Sequence, residues 1–191
     1  MTLSEDVSAT TPLQANRWDC RWPDPVALKV ATDRIFGAMA VDDPSLNRRL
    51  GIIVRMEPPM LDSDPVSAIL VTPWAVERVF WHNNREQKDP PILHAGELET
   101  TPDGRVAAGQ GVVLETSQRT FPVVIAWEPE TGHHFVQTLL HEVHEFNSVE
   151  AAIRAAFAGK TRPRLTQVTL NKEVSRRGLF SLGGWFGRGE G

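Results

Sequence analysis

Four of the chain's six histidines, His133, His134, His141 and His144, fall within a short stretch, and His141-Glu142-Val143-His144 sets a carboxylate beside two imidazoles. Imidazole and carboxylate are zinc ligands, and a neighbouring Glu can serve as general base. Zinc-protease helices use His-Glu-x-x-His, which places both ligands on one face at i and i+4. Here the spacing is i and i+3. Two helical residues three apart can still share a metal, with His133 or His134 as a third ligand. The residues before Asn147 read as extended, however, and on a strand His141 and His144 project to opposite faces. Two readings stand. In one the chain is a metal-binding protein or metal-dependent enzyme using His133, His134, His141 and His144. In the other, which is favoured, the stretch is a polar lead-in to the helix that follows, with no metal and no other cofactor. A histidine cluster can also respond to pH.

Other constellations are weaker. There is no Gly-x-Ser-x-Gly and no Walker loop, and Gly109-Gln110-Gly111 is too short for a dinucleotide fingerprint. Cys20 is the sole cysteine, so an internal disulfide, an iron–sulfur cluster and a cysteine zinc site are all excluded. Its neighbours Trp18 and Trp22 offer it no base. No catalytic residue is expected, and a binding protein is favoured over an enzyme.

These residues must be held by a domain, and 191 residues with 41% hydrophobic and 23% charged content suffice for one. A net charge of −4 argues against nucleic-acid binding. No apolar run approaches a membrane span and the N-terminus lacks a secretory apolar core, so a cytoplasmic protein without stable membrane insertion is expected.

Asp24-Pro25 predicts the cap and first turn of a helix running to 39. Residues 50–56 and 66–74 read as strands, and 75–81 as a short helix or a third strand. Residues 92–117 read as strands broken by Pro102-Asp103-Gly104, and 121–140 as a hairpin around Pro129-Glu130-Thr131-Gly132. A helix follows at 147–159, capped by Asn147 or Ser148 and ended by Gly159. Helix, five to seven strands and helix give an α+β fold, a mostly antiparallel sheet flanked by an N-terminal and a C-terminal helix. The expected partition is a flexible N-terminal arm (1–24), an α+β domain (25–160) and a flexible basic, aromatic, Gly-rich C-terminal tail (161–191).

The charge is divided: residues 160–191 carry +5 and the preceding 159 carry −9. The tail holds Ser175-Arg176-Arg177-Gly178-Leu179-Phe180, then Leu182, Trp185 and Phe186. The first six resemble the twin-arginine export motif, although export signals are N-terminal. Such a tail fits docking on a partner or on anionic lipid, or remaining disordered.

The block Ile69-Leu70-Val71-Thr72-Pro73-Trp74 resembles the Leu-Val/Ile-Thr-Pro-Trp block of the HybE/HupJ-type [NiFe]-hydrogenase assembly chaperones. Other pieces follow that family's order: the first helix and strand, Gly96-Glu97, the Pro102–Gly104 turn, the segment 138–146, an Ala-rich helix and Arg176-Arg177. The chain departs from the pattern where Val76-Glu77 replaces Met-Asn and His141-Glu142-Val143 replaces Ser-Pro-Met. A rubredoxin-like part, which some relatives carry, is impossible with one cysteine. The resemblance implies a non-catalytic chaperone that binds the small subunit with its twin-arginine signal, or the large-subunit precursor, before export. In several systems a thioredoxin-like maturation chaperone is a further partner. The expected partner-binding residues are Thr72, Pro73, Trp74, His141, Phe146, Arg176 and Arg177. Phe80 and Trp81 join them as apolar anchors if 75–81 lies at a sheet edge, and Phe180, Trp185 and Phe186 as tail aromatics. The acidic stretches Glu57–Asp64 and Glu97–Asp103 are candidate contacts for a basic client segment.

Overall fold

The computed structural model describes residues 17–39, 43–58, 61, 64–82, 89–94 and 96–158. Helix α1 (Pro25–Ala38) starts as its sequence demands: the Asp24 carboxylate accepts from the N–H groups of Val26 at 2.8 Å and Ala27 at 3.1 Å, with Pro25 in the first turn. It buries Leu28, Ala31, Thr32 and Ile35, one stripe at helical spacing. Seven strands follow: β1 (Ile53–Met56), β2 (Val66–Val71), β3 (Val76–Trp81), β4 (Ile92–Leu93), β5 (Gly111–Glu115), β6 (Thr120–Glu128) and β7 (Gly132–Leu140). Helix α2 (Val149–Phe157) closes the described chain, with Ser148 as its cap, its hydroxyl accepting from Ala151 N–H.

The strands form one antiparallel sheet in the order β1-β2-β3-β7-β6-β5-β4. This is the α+β architecture with a helix at each end of the sequence. Two meanders, β1-β2-β3 and β4-β5-β6-β7, are joined where β3 pairs with β7. Alternation along β2 assigns the faces. Ala68 and Leu70 pack with Leu28 of α1, whereas Ile69 and Val71 pack with Ala152 of α2. The two helices therefore cover opposite faces.

β3 is buried at all six positions. A strand covered on both faces loses period-2 alternation, and this is why 75–81 is ambiguous between helix and strand in sequence. It sits inside the sheet, not at an edge, which corrects one expectation. Phe80 and Trp81 are 2% and 1% exposed and face opposite ways. Phe80 packs with Phe121 and Phe135, and Trp81 with Leu28 and Leu70. They are core residues and not partner anchors.

The α2 face needs further cover near β5–β7, and residues 17–22, expected to be part of a flexible arm, provide it. Trp18 is 5% exposed and packs edge-on against His133, with ring centroids 5.1 Å apart. Asp19 O accepts from His133 N–H at 2.7 Å, and Cys20 bridges to Gly132. Residues 1–16 of the expected arm and 159–191, including the tail, lie outside the described residues.

Gly132 permits that docking. Its φ is +66°, and a Cβ there would stand 2.3 Å from Asp19 O, a backbone atom that cannot step aside alone. Gly132→Ala is expected to destabilise the fold by about 2–4 kcal/mol, combining left-handed backbone strain with a displaced strap. Urea denaturation checks this; a midpoint equal to the parent's would mean the strap contributes nothing.

Candidate functional site

Where β2 turns into β3, Thr72-Pro73-Trp74-Ala75 closes on itself. The Thr72 hydroxyl accepts from Ala75 N–H at 3.0 Å, and Thr72 N–H donates to Ala75 O at 2.9 Å. Thr72 is wholly buried, so its side chain satisfies the turn's own backbone. Pro73 suits the second position of such a turn. Trp74 is left half-exposed and lies nearly parallel to Phe36 of α1, centroid to centroid 6.2 Å with 29° between planes. The Arg48 guanidinium carbon lies 5.6 Å from the Phe36 ring centroid. Cation and aromatic faces attract, so arginine, phenylalanine and tryptophan form one adhesive row.

One buried side chain ties this turn to the last loop. Asn47 N–H donates to Pro73 O at 2.7 Å. Its side-chain amide donates to Val143 O at 2.8 Å and Phe146 O at 2.6 Å. Arg49 adds a bond from its guanidinium to Asn147 Oδ1 at 2.8 Å. The register pair Val76–Leu140 sets His141 just beyond the same end of the sheet. Thr72, Pro73, Trp74, His141 and Phe146, expected as partner contacts, thus come together at one end. Phe146 is half-buried and packs with the α2 cluster. Asn47, Phe36 and Arg48 had no signal in the sequence: Asn47 looks like any polar residue of a connector until its partners are known.

The four histidines do not converge. His133 and His134 are consecutive on β7 and face opposite sides. His133 Nδ1 accepts from Asp19 N–H at 2.7 Å, and Nε2 lies 2.9 Å from Val106 O, so Nε2 carries the proton and neither nitrogen is left for a metal. His134 lies on the α1 face beside Trp81, with Nδ1 3.0 Å from Gly132 O and Nε2 without a partner among the described residues. His141 and His144 sit in the turn after β7, His144 exposed. Among the described residues no group of three or more His, Cys, Asp or Glu is placed to hold a metal ion. The Cys20 thiol is pushed up to about 12, chiefly by burial, which keeps it un-ionised at neutral pH.

The acidic stretches are partly engaged. The Glu57 carboxylate holds Arg78 at 2.8 and 3.0 Å and accepts from Ser67. Asp64 is buried and accepts from Ser117 at 2.8 and 2.6 Å. Glu97 and Glu99 remain exposed, whereas Asp103 is held by Thr101 and Arg105. Arg176, Arg177, Phe180, Trp185 and Phe186 lie outside the described residues.

Two measurements test this interior. Asn47→Ala strands the buried Val143 carbonyl and the part-buried Phe146 carbonyl and should cost about 2–3 kcal/mol in thermal denaturation; a loss under about 0.5 kcal/mol would show that the loops hold without it. The second is pH dependence. Burial lowers both His133 and His134, the latter to about 4. Their neutral forms are favoured by folding, so their contribution is complete above the unfolded value near 6.5 and is lost as pH falls toward 4. Glu77 works the other way. It is buried, pushed up to about 7 by burial, and among the described residues only Thr138 donates to it, at 3.5 Å. Its contribution is complete below about 4.5 and is lost as pH rises through 7. Glu77→Gln should raise stability at pH 8 by on the order of 2 kcal/mol and leave a steeper loss between pH 7 and 4.5. An unchanged urea midpoint at pH 8 would refute this.

No protein-family model matches the chain, and no curated protein matches it. Among solved structures, the solution structure of HybE from Escherichia coli is similar: a TM-score of 0.43 at 12% identity, covering 80% of this chain and 91% of that one.

Proposed function

We propose that this chain is a non-catalytic assembly chaperone in [NiFe]-hydrogenase maturation. It binds a hydrogenase subunit precursor before export, either the small subunit with its twin-arginine signal or the large subunit. A thioredoxin-like maturation chaperone is a further partner in this reading, and the cytoplasm is where it acts.

The observation that carries the proposal is the meeting of two segments. Thr72-Pro73-Trp74 and the 141–146 segment, which the sequence resemblance singles out separately, are joined through Asn47. Their shared surface presents Trp74 over Phe36 with Arg48 alongside. Aromatic and arginine side chains at the surface are the groups that most often anchor protein partners. The site offers contact and shape through these side chains. No described helix is long and apolar enough to cross a membrane.

The test is co-purification of the intact chain from hydrogenase-producing cells, read by mass spectrometry. A hydrogenase subunit is expected in the eluate. Trp74→Ala should reduce its recovery about tenfold or more, as loss of a central aromatic anchor does, while the melting temperature stays within a few degrees. Eluates that hold neither subunit nor another maturation factor would sink the proposal.

A further inference from the structure

Helix α1 has a second apolar side. Val26 and Val30, one turn apart, are 69% and 52% exposed, and Trp22 just before the helix is 64% exposed. The exposed pair Lys29–Asp33 lies beside them. The residues that anchor the helix, Leu28, Ala31, Thr32 and Ile35, occupy the opposite side. Three large apolar side chains offer far less than the roughly 800 Å² per partner of a stable dimer. They suit a short apolar segment instead.

The chain holds such a segment. Ser175-Arg176-Arg177-Gly178-Leu179-Phe180 and Leu182 combine a twin-arginine-like motif with apolar residues. Charge favours the encounter, with +5 on residues 160–191 against −9 on the rest. Reach permits it too. Helix α2 ends at Phe157 on the face opposite α1, and the intervening residues 159–178 span up to roughly 65 Å when extended. The way round passes β1, the edge strand that packs beside α1.

We propose that Leu179, Phe180 and Leu182 dock on the Val26–Val30 side of α1, so that the tail is a built-in competitor for a client carrying a twin-arginine signal. The docking stands on the observations above. The competition rests on the chaperone reading.

Two probes separate these parts: a fluorescent peptide copying residues 171–191, and a synthetic twin-arginine signal peptide of a hydrogenase small subunit. Each is titrated into the full chain and into the chain ending at residue 158. The tail peptide should bind the truncated chain, and Val26→Asp with Val30→Asp should weaken it by about tenfold or more, in line with the apolar area lost. Both valines are exposed, so an unchanged melting temperature guards against unfolding. The signal peptide should bind the truncated chain about tenfold more tightly than the full chain. Tail-peptide binding that ignores the double substitution, or no tail-peptide binding at all, overturns the docking. A concentration-dependent dimer that the double substitution abolishes overturns it as well, by assigning the stripe to a second copy. Equal signal-peptide affinity for both chains overturns the competition while leaving the chaperone reading intact. A signal peptide that binds neither chain, beside a tail peptide that binds the stripe, supports the docking and counts against that reading.

Discussion

The pairing of β3 with β7 governs the rest of the molecule. Each strand belongs to a separate antiparallel meander, and only this contact makes a single sheet of the two. Both strands are covered on both faces, so every side chain they carry is sorted by pleat parity into one of two interiors. Consecutive residues such as Phe80 and Trp81, or His133 and His134, are therefore separated by the full thickness of the sheet. This parity dismantles the apparent histidine cluster. Four residues close in sequence become two buried groups on opposite faces and two groups in a turn.

Burial at that junction also explains its polar chemistry. Glu77, Arg78, His133 and His134 sit where water is excluded, and each must be neutral or matched. Arg78 is matched by Glu57. His133 is matched twice, by a backbone donor and a backbone acceptor, which fixes its tautomer. Glu77 and His134 are only partly matched, and their ionisation shifts toward the neutral form in consequence. Opposite shifts on an acid and a base make their effects on stability offset one another across the mildly acidic range.

At the end of the same junction the chain has to turn, and the turns have to be tied. The Thr72 hydroxyl closes one and Asn47 laces three loops together, using backbone carbonyls that would otherwise be stranded. With the polar groups turned inward, the half-buried Trp74 and Phe36 and the exposed Arg48 are left beside the turn. The hydrogen-bonding capacity of these loops is thus largely consumed by the loops themselves.

Much of the architecture was legible in local sequence. Asp24-Pro25 and Ser148 mark helix starts through capping chemistry, and Pro129–Gly132 marks a hairpin through turn chemistry; all three act over a few residues and need no distant partner. Single-cysteine chemistry was equally decided, since one thiol cannot close a disulfide. The tertiary structure alone decided which faces are buried. A strand covered on both sides has no alternation to read, so Phe80 and Trp81 could stand for anchors or core until β7 was placed beside them. Trp18 and Cys20 passed for part of an arm because their partners lie more than a hundred residues away. Asn47 was invisible for the same reason: a hydrogen bond between distant segments leaves no period and no spacing in the sequence, only a position in space.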